Sequence, residues 1–246
     1  MDTAVAQSLR YSLKYAGHAA GEQRLTLEPR PGGLRLTLEA QVELPLPKTR
    51  QRWESELDPE GLPRKYRERV EGGSSRVMEV EFSREDGLVT VSQGKEDWAI
   101  PYLTEMHDPL SLILAVGELD LEVGEIETFR MVGGRAYVER LPDQSLKLAG
   151  EAEEKPVRVY RLRPGLSLLY FDDEDRPVRL TQKVGEHVFE AELVGVQRVE
   201  SGPRQPQGRG ERPQGRPRIV VGEPPKEREV DANNPSRRRR RRRRYN

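Results

Sequence analysis

From Leu34 to Leu46 every second residue is apolar: Leu34, Leu36, Leu38, Ala40, Val42, Leu44 and Leu46 alternate with Arg35, Thr37, Glu39, Gln41, Glu43 and Pro45. Successive side chains leave a strand on opposite sides, so this period of two predicts a strand with one face buried and the other in water. The same rhythm recurs in Tyr11/Leu13/Tyr15, Met78/Val80/Phe82 and Phe189/Ala191/Leu193. Turn residues separate the runs at short intervals: Pro31-Gly32-Gly33, Asp58 to Gly61, Glu71-Gly72-Gly73, Glu85-Asp86-Gly87, Gly133-Gly134 and Asp172 to Asp175. Short alternating runs with frequent turns predict an all-β chain, an antiparallel β-meander forming a barrel, half-barrel or curved sandwich rather than βαβ units.

Two of these hairpins look like copies. "ELDPEGLPRKYR" at 56–67 returns as "YFDDEDRPVRLT" at 170–181, so that Asp58, Glu60 and Pro63 match Asp172, Glu174 and Pro177 at an offset of 114 residues. Leu57, Tyr66 and Val70 then fall opposite Phe171, Leu180 and Val184, which keeps the same parity. Aspartate can close such a turn on its own backbone, and proline fits the start of the following strand, where a missing N–H matters least. The match predicts an internal duplication in which 8–82 and 124–199 superpose.

Between the halves, "HDPLSLILAVGEL" predicts one short helix over 108–117. Asp108 suits the N-cap, Pro109 suits the first helical position, and Gly117 is placed to end the helix. Leu110, Leu112, Ile113 and Leu114 make an apolar surface too broad for a helix lying in water. It is therefore expected to pack against or plug the concave sheet. The domain scheme that follows is an N-terminal segment 1–7, a duplicated meander over 8–200 with halves of about 8–106 and 118–199, and a tail over 201–246.

Composition sharpens the last of these. The 42 basic and 42 acidic residues balance, yet 201–246 holds fifteen basic against five acidic, leaving 27 against 37 in 1–200. The tail also has seven prolines, five glycines and no aromatic before Tyr245, a makeup that cannot bury enough apolar surface to offset chain ordering. A disordered basic C-terminal tail is expected, with Ile219 to Val221 either a segment that adds to a sheet edge or a linker. Arg237, Arg238, Arg239, Arg240, Arg241, Arg242, Arg243 and Arg244 put eight guanidinium groups in a row. Such a run suits polyanions: an anionic membrane surface, a nucleic acid or an acidic protein face, its own body included. Nucleic acid is the weaker of these, since the tail lacks the aromatics that stack on single-stranded bases.

At the other end, "MDTAVAQSLRYSLKY" carries no basic and apolar leader as written, but Ala4-Val5-Ala6 before Gln7 has the small-x-small form of a cleavage site. The expectation is a periplasmic or cell-envelope protein if a leader was removed, and a cytoplasmic one if the chain is complete as written. No run of about 20 apolar residues offers a spanning helix.

"YSLKYAGHAAGEQRLTLE", the Asp108-Pro109-Leu110-Ser111 segment and the "YFDDEDRPVRL" hairpin together resemble the bacterial domain of unknown function 3108 family, over about 8–199. The resemblance implies an exported envelope protein with a curved β-meander similar to periplasmic lipoprotein carriers. It brings no catalytic residues to transfer.

The chain itself offers little chemistry. Without cysteine there is no disulfide, thiolate nucleophile or zinc ribbon. His18, His107 and His187 are isolated, with no metal-ligand spacing. There is no nucleophile elbow or Walker loop, and the acidic run Asp172 to Asp175 lacks the spacing, glycine and terminal glutamate of an EF-hand. No catalytic, cofactor-binding or metal-binding residue is expected. Trp53, Trp98, Tyr102, Tyr160 and Tyr170 either line a concave apolar face suited to a lipid or acyl chain or supply the core. Two functions are open: a non-enzymatic binding or carrier module for a hydrophobic ligand or envelope partner, and a scaffold that binds polyanions through its arginine tail.

Overall fold

The computed structural model describes residues 5–199 except 45–46, 73–74, 149–150, 166 and 185–186. The expectations for 201–246, including Ile219 to Val221 and the arginine run, lie outside the described residues, as does Ala4. The first half comprises β1 (Ala6–Tyr15), β2 (His18–Arg30), β3 (Gly33–Val42), β4 (Thr49–Leu57), β5 (Pro63–Glu71), β6 (Arg76–Ser83), β7 (Leu88–Gln93) and β8 (Glu96–Pro101). A two-residue β9 (Met106–His107) leads into α1 (Pro109–Gly117). The second half comprises β10 (Ile126–Met131), β11 (Gly134–Lys147), β12 (Glu154–Arg163), β13 (Ser167–Phe171), β14 (Pro177–Val184) and β15 (His187–Val199).

All the strands form one curved sheet in the order β8-β7-β6-β5-β4-β3-β2-β1-β15-β14-β13-β12-β11-β10-β9. Each pairing is antiparallel except the short β9–β10 contact. The fold is thus an all-β meander with one helix, and its order accommodates the expected duplication. The run β6 to β1 is followed along the sheet by β15 to β10, a second six-stranded meander with the same sense.

Alternation places the core as expected. Leu9, Leu25, Leu27, Leu36, Val80 and Val89 are buried on the inner face, while Arg35, Glu39 and Arg52 lie on the outer one. The outer charges are laid out as cross-strand pairs: Arg35 Nη2 to Glu56 at 2.6 Å, Arg67 Nη2 to Glu79 at 2.6 Å, Arg161 Nη2 to Glu139 at 2.8 Å. The strand predicted to run to Leu46 stops at Val42 instead. Its partner β4 begins only at Thr49, opposite Val42, while on the β2 side one carbonyl, that of Ala20, takes both Glu43 N–H and Leu44 N–H, and Leu44 is exposed. Leu46 lies outside the described residues.

Candidate functional site

The two copied turns are alike bond for bond. Asp58 Oδ1 accepts from the N–H of Glu60 and Leu62, and Asp172 Oδ1 accepts from the N–H of Glu174 and Arg176, at 2.9–3.0 Å. Each aspartate N–H donates to the carbonyl four residues on, and each carbonyl accepts from the N–H three residues on. Gly61 and Asp175 share the left-handed backbone conformation, and the register slips at Leu57/Pro63 and Phe171/Pro177 alike.

Between the copies, α1 is fastened at both ends. At its start Asp108 Oδ1 accepts from Leu110 N–H and Ser111 N–H, and Ser111 Oγ accepts from Asp108 N–H, which closes a capping box. The other oxygen, Oδ2, accepts from Ser55 Oγ in β4, so the cap also ties the helix to the first repeat. Burial pushes the Asp108 carboxyl up to about 6, against the bonds from Ser55, Ser111 and Leu110 that favour its charged form. Tyr66 lies in the same polar pocket, its phenol pushed up by burial and by the charges of Glu68 and Asp108. His107 Nδ1 lies 3.3 Å from Ser111 Oγ and its ring meets Phe129 edge-on, with burial holding the imidazole below its ordinary range.

At the helix end, Arg158 from β12 donates to the carbonyls of Gly117 and Leu119 and pairs with Asp175, and Tyr160 donates to Leu119 at 2.9 Å. Gly117 is the last helical residue rather than a left-handed terminator. Its small size is what matters: a Cβ there would sit 3.0 Å from the Phe171 ring and 3.3 Å from the Asp175 carbonyl. The helix is buried through Leu110, Leu112 and Val116, while Ile113 and Leu114 pack at its margin.

Under this helix the inner face leaves a cavity of 290 Å³. Its walls are Leu13, Leu38, Leu162, Leu169 and Phe189 from the sheet, closed by Pro109, Leu112 and Ile113 of α1. Polar groups are few: Gln23, Ser167, Thr181 and Gln182 line the same space. Trp53 lines it too, and its indole Nε1 is a buried donor with no partner among the described residues.

Of the aromatics singled out in the sequence, Trp53 alone lines this cavity. Trp98 is exposed near the free edge of β8, and Tyr102 lies just beyond that strand. Tyr160 is buried in the core, bonded to the helix end. Tyr170 is on the opposite face, in a separate apolar cluster with Val157, Val159 and Val178. A stretch such as "SLLYF" is apolar on both sides of the strand, so parity could not say which way Tyr170 points. Sequence reasoning missed Ser55, Gln23, Leu162 and Leu169. The signal present was alternation: each falls at an inward position of its strand, but only the helix decides which inward positions border an empty space.

The histidines stay apart. His18 is exposed, His107 belongs to the cap, and His187 Nδ1 lies 3.0 Å from Tyr15 Oη. Among the described residues no three His, Cys, Asp or Glu are grouped to hold a metal ion, and no helix is long and apolar enough to cross a membrane.

With this geometry in place, the sequence matches the family described as protein of unknown function (DUF3108) over residues 10–188. The chain belongs to the DUF3108 family. The match runs from within β1 to the start of β15, the helix included. Among solved structures, the chain is similar to the beta-barrel-like protein of domain of unknown function DUF1849 from Brucella abortus, at 14% identity, a TM-score of 0.48, and coverage of 80% of this chain and 98% of that one. No curated protein matches the chain in sequence.

Proposed function

We propose that this DUF3108 domain is a non-enzymatic binding or carrier module whose ligand is an apolar chain held in the cavity beneath α1. The observation that carries the reading is an apolar space of 290 Å³, bordered by equivalent strands of the two repeats and roofed by a helix fastened at both ends. Ligand sites are concave, mostly apolar and marked by a few polar groups. Here Gln23, Ser167, Thr181 and Gln182 are those few polar groups. Residence in the cell envelope, which the family resemblance implies, belongs to the same proposal and suits a carrier of apolar cargo.

The test is extraction of the purified protein followed by mass spectrometry of bound lipid, together with titration of lauric acid against Trp53 fluorescence in a Trp98→Phe background. Co-purifying acyl chains and saturable quenching that Leu162→Phe, which narrows the cavity without adding an indole, weakens are expected. No extractable lipid and no saturable quenching would overturn the reading. The arginine run favours a second role as a polyanion tether. Deleting 237–246 is expected to remove most binding to anionic vesicles at low salt, and equal binding by full-length and truncated protein would dismiss it.

A further inference from the structure

The outer face of the first repeat breaks its own rule at one place. Arg10 stands directly across from Arg24, Arg24 from Glu39, Glu39 from Arg52, and Arg52 from Arg69, a row along five neighbouring strands. Like charges directly opposite one another destabilise a sheet. Elsewhere on this face arginines meet carboxylates, but within the described residues no carboxylate lies within 4.0 Å of Arg10, Arg24 or the neighbouring Arg50. Arg52 is taken by Glu39 and Glu54, and Arg69 reaches Glu71 only at 4.0 Å. These arginines line an outer crease of 420 Å³, together with Glu22, Glu39 and Glu71. Three exposed, unpaired guanidinium groups therefore line one crease of a body whose total charge is acidic.

A second irregularity falls at the same spot. Across from Arg10, β15 carries Gly195, and the register slips so that Val194 is an extra residue between the partners of Arg10 and Tyr11. Glycine inside a strand weakens it, and a bulge bends it; both mark places where backbone or ligand must approach closely. A Cβ on Gly195 would meet Arg10 Nη2 at 3.2 Å, so the glycine lets that side chain lie over β15. Val194 lines the arginine crease and also a neighbouring space of 360 Å³ walled by Leu146, Leu148, Val178 and Leu193 together with the charged Lys147, Glu151, Arg179 and Glu192. One exposed valine borders both spaces.

A like-charge pair, a mid-strand glycine and a bulge each disfavour the sheet, and such violations concentrate where function requires them. We propose that this crease is a second binding site, for an anionic amphiphile. Its phosphate or carboxylate is held by the forked donors of Arg10 and Arg24, and its apolar part crosses Val194 toward Leu146, Leu148, Val178 and Leu193. The site is on the opposite face from the cavity under α1 and does not depend on that cavity being occupied.

Calorimetry with the full chain carrying Leu162→Trp, which fills the inner cavity, tests this directly. Dihexanoyl phosphatidic acid is expected to bind at least tenfold more tightly than dihexanoyl phosphatidylcholine, and at least tenfold more tightly than inorganic phosphate. Arg10→Ser with Arg24→Ser should lower the phosphatidic acid affinity at least tenfold while leaving the urea midpoint equal or higher, because it removes like-charge repulsion. Val194→Asn, which removes the apolar contact without adding charge, should weaken phosphatidic acid and leave phosphate unchanged. Equal affinity for inorganic phosphate and phosphatidic acid would overturn the amphiphile, and unchanged affinity in the double arginine variant would overturn the site.

Discussion

The hairpins β4–β5 and β13–β14 share a turn down to individual hydrogen bonds, yet what surrounds them differs. Around Asp58 the second carboxylate oxygen is taken by Arg84, which comes from the connection between β6 and β7 and also reaches Glu60 at 3.1 Å. Around Asp172 it is taken by Arg176 from within the turn itself, at 2.8 Å. The inner face diverges further. By cross-strand register, Ser55 and Tyr66 of the first repeat occupy the places of Leu169 and Leu180 in the second, while Leu34 and Leu36 occupy those of Arg158 and Tyr160. Each repeat has polar residues where its counterpart has leucine. The first uses them to hold the start of α1, the second to hold its end. Main-chain chemistry preserves the scaffold, and the freed inward positions divide the work of seating one helix over one cavity. Leu38 and Leu162, again equivalent, form facing parts of that cavity's wall.

The largest expected effect separates the two helix anchors by pH. Asp108 holds its proton more tightly folded, near 6, than the ordinary aspartate value of 3.8. Below the unfolded value both states are protonated. As pH rises through the interval the unfolded chain releases its proton first, so this group's contribution to stability falls and the loss is complete above pH 6. At 1.36 kcal/mol per unit the loss approaches about 3 kcal/mol. Asp108→Asn keeps a capping oxygen and does not titrate. Urea unfolding at pH 4 to 7 should show the variant gaining on wild type as pH rises, whereas Arg158→Met, at the other anchor, should shift stability by the same amount at every pH. A constant difference between wild type and Asp108→Asn would mean that the two anchors do not differ in this way.

Removing the turn carboxylates tests whether the copies are energetically equal. Asp58→Ala and Asp172→Ala each leave two turn N–H groups and one arginine without their buried acceptor, which costs about 2–3 kcal/mol. Values within 1 kcal/mol of each other by urea unfolding would show that Arg84 and Arg176 are interchangeable solutions. A much smaller loss for Asp58→Ala would mean that Arg84, anchored outside the turn, carries nothing.

Smaller again is the contrast between two glycines. Gly117→Ala forces the Phe171 ring to move and is expected to cost about 1–3 kcal/mol, as overpacking does. Gly61→Ala meets open space, so only its left-handed backbone resists, at about 1 kcal/mol. Equal effects would show that packing at the helix end is slack.

Much of the scaffold was legible because it rests on local chemistry. The alternation in β3 and the Asp-x-Glu-x-x-Pro pattern act within a few residues, and Asp108-Pro109 announces a helix start without help from elsewhere. What long-range packing decides stayed hidden. Gly117 looks like a terminator until Phe171 is seen against it, and Ser55 looks like a lapse in an apolar pattern until Asp108 is seen above it. The aromatics misled for a related reason: size predicts burial, but Tyr160 is bonded to the helix end and Tyr170 faces the outer cluster. The arginine row was invisible because it needs four registers at once.

The finest test of the comparison lies at the left-handed position of each turn, Gly61 in one and Asp175 in the other. Glycine is the unstrained choice there, so Asp175 is retained against a penalty of about 1 kcal/mol. Its carboxylate pairs with Arg158, whose counterpart in the first repeat is Leu34, so the first turn has no guanidinium at the corresponding place. The pair is partly exposed and therefore contributes less than about 1 kcal/mol after screening. Asp175→Gly should then leave the urea midpoint nearly unchanged, as relief of backbone strain offsets the lost ion pair. It should nonetheless loosen the helix end, because Arg158 keeps its bonds to Gly117 and Leu119 but loses the charge that orients it. Amide exchange at Glu118 and Leu119, whose N–H groups close the last turn, should speed up several-fold in the variant. Exchange at Leu112, whose N–H bonds the Asp108 carbonyl at the other anchor, should not change. Faster exchange at both ends would show that the helix is held as one unit, with the two repeats sharing the task instead of dividing it.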